Sequence, residues 1–313
     1  VLFIVNGTED SIYGRRVRNL TKHFQSIKQY RIVYRDDKAK IKSIFRFLWE
    51  IFKYKPEIVY VEQIAYSGCT AVLLARLFSR FKYIFCVSDL YAELAKANHN
   101  KIVVFLASIM EMLWTNSADF LLTCNPVHSQ WLKGKTKKDS IDYVGHGIDI
   151  EIFRPTDQAE LRRRLGLEGS LVVGVVGSLT WSKRYKFCYG WDIVEAFKFL
   201  KDLDIKALIV GDGTGLGYLK QSVRDYGIEE KVVFTGRIAN EQVADYINCM
   251  DICVSTQSND LVGALRCLAT KGPEYMACGK YIIATDVGKT RLYFEKLGGI
   301  LPYEGIKDKT YPR

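Results

Sequence analysis

The sequence predicts an α/β protein built from two doubly wound parallel-sheet domains. Three observations carry this. Short β-rich runs alternate with helix-period segments along almost the whole chain, and 313 residues suit two α/β domains of about 150 residues each. A polar stretch from Phe153 to Gln158 breaks the rhythm once, near the middle, so the domains are expected to be 1–155 and 156–313.

In the first half, Val1 to Val5, Tyr30 to Tyr34, Ile58 to Val61, Tyr83 to Val87, Phe120 to Thr123 and Ile141 to Val144 read as strands. Between them, Arg15 to Ile27, Lys40 to Phe52, Thr70 to Phe78, Ile102 to Trp114 and Val127 to Leu132 carry apolar residues at helical spacing. The second half resumes with strands at Leu171 to Val176, Ala207 to Val210, Val232 to Phe234, Ile252 to Ser255, Tyr281 to Ala284 and Gly299 to Leu301. Helices between successive strands imply parallel crossovers. There is no repeat of solenoid period and no low-complexity segment.

Lys271-Gly272-Pro273-Glu274-Tyr275-Met276-Ala277-Cys278-Gly279 reads as a short helix. Pro273 suits the first helical position, where its missing N–H is harmless, and Gly279 suits the left-handed residue that ends a helix. Read alone, Glu274 either complements its own helix dipole or meets a hydroxyl-bearing ligand at the carboxyl edge of the sheet. Upstream, strands end in glycine turns at Gly177-Ser178, Gly211 to Gly215 and Gly236, and Lys183, Arg184 and Lys186 follow the first turn. Glycine lets backbone approach a phosphate closely, and nearby cations neutralise it. The three turns and Glu274 outline an edge suited to a nucleoside diphosphate.

Hydrophobic residues make up 48% and charged residues 26%, an ordinary globular composition. No apolar run reaches the roughly 18 residues of a membrane span, and no signal peptide is recognisable. The chain opens at Val1 rather than methionine, so a few preceding residues are expected. Eight cysteines without a CxxC pair fit reduced thiols and a cytoplasmic location, which includes the inner face of a membrane. The four histidines are scattered and no pair of them accompanies Cys249 and Cys253, so no metal is expected.

The net charge of +10 concentrates between Arg15 and Lys55, where thirteen basic residues face three acidic ones. Inside that span, Lys40, Lys42, Arg46 and Lys53 alternate with aromatic and aliphatic residues. Two readings stand: a sheet-covering helix with a solvated basic edge, or a helix that presses on an anionic membrane surface. No nucleic-acid recognition motif accompanies the charge, so nucleic acid is not an expected partner.

Four segments, "VGVVGSLTWSK", "LIVGDGTG", "VVFTGRI" and "KGPEYMACGKYIIATDVG", occur in an order and at spacings that resemble the retaining glycosyltransferases of the group 1 family. The likeness runs from the Gly174 strand to Gly288 and, more thinly, back through Val144 to Asp149 and Phe153-Arg154-Pro155, which is similar to the family's "NGVD…F.P" hinge signature. It implies a GT-B fold of two facing Rossmann-like domains, with a nucleotide sugar as donor substrate and no cofactor. Gly177 and Ser178 would line the donor diphosphate with Gly211 nearby, Lys183 and Arg184 would meet the leaving nucleotide, and Arg237 and Ile238 would flank the base. Glu274 matches the second acid of the family's acid pair, which binds the donor ribose.

Departures from the pattern bear on activity. Arg266 stands where the first acid belongs, Lys271 matches a family variant with a lysine three residues before the retained acid, and Ser178 replaces an arginine. The family histidine after the fourth strand is absent, and Asp89 there either approaches the transferred sugar or caps a helix. His146 either faces donor or acceptor or packs in the hinge, and Gly14 is either an acceptor-side loop glycine or a plain turn glycine. The chain ends soon after the last predicted strand, where the family continues with helices, so a short or truncated form is expected.

The leading expectation is a metal-independent transfer, with retention, from a nucleotide sugar to a glycan or lipid-linked acceptor hydroxyl. The alternative is a non-catalytic sugar-nucleotide binder or partner subunit. A dinucleotide dehydrogenase fits poorly, because neither glycine turn gives a full GxGxxG with an acid about 20 residues beyond.

Overall fold

Each half of the chain winds six parallel strands into one sheet. The computed structural model describes residues 1–22, 24, 29–35, 39–63, 66–136, 138–182, 188–257, 271–288 and 290–302. Two units form, Val1–Gly147 and Ile148–Arg313. Among the described residues, no helix is long and apolar enough to cross a membrane.

In the first unit β1 (Leu2–Val5), β2 (Arg31–Tyr34), β3 (Ile58–Glu62), β4 (Lys82–Val87), β5 (Phe120–Thr123) and β6 (Ile141–Tyr143) pair in the order β2-β1-β3-β4-β5-β6. The connecting helices are α1 (Ile12–Lys22), α2 (Lys40–Tyr54), α3 (Tyr66–Ala75), α4 (Tyr91–Asn98), α5 (Lys101–Ser117) and α6 (Pro126–Lys135). All four residues of β1 are buried, as a central parallel strand covered on both faces requires. Phe47, Ile51, Val72 and Trp114 pack one face with Leu2 and Ile4, and Val17 packs the other with Phe3, Val5 and Tyr60.

The second unit holds α7 (Ala159–Arg164), β7 (Leu171–Val176), α8 (Trp191–Phe197), β8 (Ile205–Val210), α9 (Leu216–Tyr226), β9 (Val232–Gly236), α10 (Val243–Asn248), β10 (Ile252–Ser255), α11 (Lys271–Ala277), β11 (Tyr281–Thr285), α12 (Thr290–Phe294) and β12 (Gly298–Leu301). Its order, β9-β8-β7-β10-β11-β12, is the Rossmann order counted from β7. Strand order reverses between β7 and β10 here and between β1 and β3 in the first unit. In open parallel sheets ligands bind at such reversals, outside the carboxyl ends of the strands.

Several elements differ from the sequence reading. Helix α1 begins three residues early, because the Ser11 hydroxyl accepts a hydrogen bond from Gly14 N at 3.1 Å and caps it. Gly14 is therefore a helical residue rather than a loop glycine, and a Cβ there would meet the Glu9 carbonyl at 2.2 Å. Helix α4 carries no clear apolar period; it starts after Leu90, and Glu111 of α5 accepts from Ala92 N at 2.8 Å. Pro273 lies inside the first turn of α11 rather than at its first position, a site that tolerates its missing N–H equally well. The polar stretch after Phe153 is tied to the second unit: Asn248 Nδ2 donates to Arg154 O and Thr156 Oγ1, both at 2.9 Å.

Candidate functional site

The reversal between β7 and β10 brings together the Gly177-Ser178 turn, Thr256-Gln257 and the start of α11. Helix α11 is fixed at both ends. Tyr275, fully buried, accepts a hydrogen bond from Val176 N at 2.9 Å, which ties the helix to the last residue of β7. At the other end Gly279, at φ +67°, closes the helix: Gly279 N donates to Met276 O at 2.9 Å and Lys280 N to Tyr275 O at 3.0 Å.

Glu274 is buried beside that anchor, and Lys271 Nζ donates to its Oε2 at 3.0 Å. The retained acid and the lysine three residues before it thus balance each other's charge. A carboxylate oxygen accepts more than one hydrogen bond, and among the described residues Glu274 Oε1 has no partner.

The glycine turns divide by role. Gly177 N donates to Val210 O at 3.0 Å and Leu179 N to Asp212 O at 3.0 Å, so the first turn lies along the second. Gly211, at φ +141°, donates to Gly236 O, and a Cβ on it would sit 1.9 Å from Gly177 O. Its amide is taken and its missing side chain makes room for the first turn, so Gly211 supports that turn from behind. Ser178 is exposed, its hydroxyl 2.7 Å from Thr180 Oγ1. Arg237 is exposed just past β9, while Ile238 packs against the core. Lys183, Arg184 and Arg266 lie outside the described residues.

Behind this edge are groups the sequence did not signal. Gln257 Nε2 donates to Tyr189 OH at 3.1 Å, and the Tyr189 ring lies against Gly177. Gln257 N also donates to Thr285 Oγ1 at 2.9 Å, joining the ends of β10 and β11. Asp192 of α8 is buried, and desolvation raises its carboxyl above the ordinary range against the Thr256 hydroxyl bond that lowers it. One of its oxygens, Oδ2, has no partner among the described residues.

The first unit gathers a second polar cluster at its own reversal. Gln63 follows β3 with φ 72°, a left-handed conformation uncommon for a side-chain-bearing residue. Its Nε2 donates to Asp89 Oδ2 at 3.1 Å and to Tyr13 OH at 2.9 Å, and Tyr13 OH donates to Asp89 Oδ2 at 3.4 Å. The N-cap residue of α4 is Leu90, with no side-chain capping bond. Asp89 is thus held at the strand end by two side chains that are 76 and 26 residues away in sequence.

Beneath it Arg16 and Glu62 form a fully buried ion pair at 2.6 Å, and Arg16 also donates to Tyr60 OH at 3.0 Å and Val144 O at 2.7 Å. The Val144 contact holds the segment that leads to His146. Burial, reinforced by the Arg16 charge, pushes His146 down to about 4, and among the described residues its Nδ1 has no partner; the imidazole is neutral at ordinary pH. Glu62, Cys86 and Cys124 place ligand atoms within 4.8 Å of one another. Arg16 supplies a cation at that cluster through its ion pair with Glu62.

A family model described as "Glycosyl transferases group 1" matches residues 170–302. Residues 170–302 are a group 1 glycosyltransferase domain. The transferase domain thus contains both the Gly177 turn and Glu274. The chain is 29% identical over 156 residues to N-acetyl-alpha-D-glucosaminyl L-malate synthase of Bacillus anthracis, covering 49% of this chain and 37% of that protein. It is 30% identical over 154 residues to D-inositol 3-phosphate glycosyltransferase of Rhodococcus erythropolis, covering 47% of this chain and 33% of that one. The matches therefore span about a third of each relative's length. The fold extends further: the structure of Anabaena HepE in complex with UDP and glucose superposes with a TM-score of 0.72, covering 98% of this chain and 87% of that one at 13% identity. The transferase domain is thus one of two Rossmann-like units of a GT-B fold.

Proposed function

We propose that the chain transfers a glycosyl group, with retention at the anomeric carbon, from a nucleoside diphosphate sugar to a hydroxyl of a glycan or lipid-linked acceptor. The observation that carries this reading is Glu274: an acid in the first turn of a helix hydrogen-bonded to the end of β7, at the reversal of a Rossmann-ordered sheet inside a group 1 transferase domain. In this reading Glu274 accepts both ribose hydroxyls, and the Gly177-Ser178 turn lies along the diphosphate. Arg237 and Ile238 flank the base with their backbone.

Departure of the diphosphate develops negative charge, which Lys183, Arg184 and Lys271 would stabilise without a metal. Lys271 is already beside Glu274, so donor binding would share its charge between carboxylate and phosphate. In the first unit Asp89, oriented by Gln63 and Tyr13, would contact the transferred sugar or the attacking hydroxyl, and neutral His146 would serve the acceptor side. Gly14, in the first turn of α1 where a Cβ would meet the Glu9 carbonyl, would border the acceptor through its backbone. The test is a donor screen with mass detection of the released nucleotide, followed by the anomeric configuration of the product. Release of one nucleoside diphosphate with a retained product supports the reading; an inverted product contradicts it.

A second reading rests on Arg266, which stands in place of the first acid of the family pair. A chain without that acid could bind a sugar nucleotide and serve as a non-catalytic subunit. Tight donor binding with no turnover against any acceptor separates it from the transferase reading.

A further inference from the structure

Helix α2 is apolar on two faces, and the core uses one. Phe47 and Ile51 are buried against the sheet, with Ile44 and Leu48 packed beside them. Ile41, Phe45, Trp49 and Phe52, spaced by four, four and three residues, form a separate stripe along the helix. They are 72%, 68%, 54% and 40% exposed. A helix that merely covers a sheet turns such a stripe to polar residues, so folding of this unit leaves it unexplained.

Lys42, Arg46 and Lys53 follow the stripe by one helical step and are exposed along its flank. Lys53 Nζ lies 4.3 Å from the centre of the Trp49 ring. The one acid of the helix, Glu50, is buried and bound to Arg31 at 2.8 Å, so α2 itself offers no free carboxylate to the flanking cations. Helix α3 packs along α2, and just past its end Leu77 and Phe78 are 72% and 80% exposed, with Arg80 following them.

We propose that this face of the first unit docks on the surface of an anionic phospholipid bilayer, with the stripe in the headgroup–acyl boundary and Lys42, Arg46 and Lys53 at lipid phosphate. The charge pattern chooses the occupant. Lipid offers apolar chains beneath a layer of phosphate, which matches an aromatic stripe flanked by cations. A second copy of the chain meeting at the same stripe would set one basic row against another with no acid between them. Binding to lipid requires no turnover, so the inference stands or falls apart from the transferase reading.

The test is co-sedimentation of the full chain with vesicles of phosphatidylglycerol and phosphatidylcholine against phosphatidylcholine alone. The chain is expected on the anionic vesicles and to leave them as salt is raised. Replacing all three cations by glutamine is expected to weaken partitioning roughly 100-fold, at about fivefold per cation. Phe45→Ser with Trp49→Ser is expected to abolish it while leaving the melting curve unchanged, because both side chains are exposed. Vesicle addition should shift tryptophan emission to the blue in the parent and not in Trp49→Phe. No preference for anionic vesicles, or equal binding by these variants, overturns the proposal. So does a dimer in sedimentation equilibrium that the serine variant dissolves while vesicles bind nothing.

Discussion

The Val176 amide, the last of strand β7, donates its hydrogen bond to the Tyr275 hydroxyl at 2.9 Å rather than to a neighbouring strand. The pairing of β7 with β10 runs through Val173 and Gly174, so near its carboxyl end the helix carrying Glu274 completes the sheet's hydrogen bonding. One side-chain oxygen thereby sets where the candidate ribose-binding acid stands relative to the Gly177 turn.

Tyr275→Phe should therefore cost about 1–3 kcal/mol, since it leaves a buried amide unpaired without opening a large cavity. Urea denaturation measures the loss. Nucleotide affinity should fall as well, although Tyr275 touches no ligand in the proposed arrangement. Unchanged stability would remove the anchoring role.

Gly211→Ala should be among the most damaging small changes in the second unit. The added Cβ would lie 1.9 Å from Gly177 O in a backbone conformation that alanine avoids. Gly217→Ala is the control: nothing lies within 4 Å, it sits inside α9, and the change should be neutral or stabilising by about 0.5–1 kcal/mol. Comparable denaturation midpoints for the two variants would contradict the packing role given to Gly211.

Arg16→Ala should cost about 3–5 kcal/mol, the usual effect of stranding one charge of a buried pair. The variant abandons Glu62 and releases the Val144 carbonyl. Thermal unfolding of the parent, of Arg16→Ala and of the double variant with Glu62→Gln checks it. The double variant should recover part of the loss, because the uncompensated carboxylate is gone.

Acid should weaken the first unit through His128. It is buried, neither ring nitrogen has a partner among the described residues, and burial pushes it down from 6.5 to about 4. Between those values the unfolded chain binds the proton and the folded one does not, so this contribution is complete above pH 6.5 and is lost as pH falls through 4. The shift corresponds to roughly 3 kcal/mol. Denaturation at pH 7.5 and pH 4.5 should show a smaller acid loss in His128→Gln than in the parent; an equal loss would place the proton elsewhere.

Much of the architecture was legible in the sequence because it rests on local pattern. Buried parallel strands are short β-rich runs such as Leu2 to Val5 and Leu171 to Val176, and the crossovers between them leave little choice of topology. Gly279 announced the end of α11 because few other residues adopt its conformation. Helix α4 escaped because its sequence, Tyr91-Ala92-Glu93-Leu94-Ala95-Lys96, has too short an apolar period to register. The supporting half of the site was illegible for a different reason. Tyr275 to Val176, Gln63 to Asp89 and Arg16 to Glu62 join residues 99, 26 and 46 positions apart, and no local feature says which partners will meet. Gly211 shows the converse: its position in a glycine turn was plain, but whether it faces a ligand or a neighbouring backbone depends on the packing of two strand ends.

The most direct test of the central claim is calorimetric titration of the parent and of Glu274→Gln with UDP, GDP and ADP, and with the 2′,3′-dideoxy form of whichever binds. The account predicts that one ribonucleotide binds the parent, that Glu274→Gln weakens it about tenfold or more, the scale of a lost charge-assisted hydrogen bond, and that the dideoxy form binds both proteins equally weakly. Equal affinity of the ribonucleotide for parent and variant would contradict the assignment of Glu274 to the ribose.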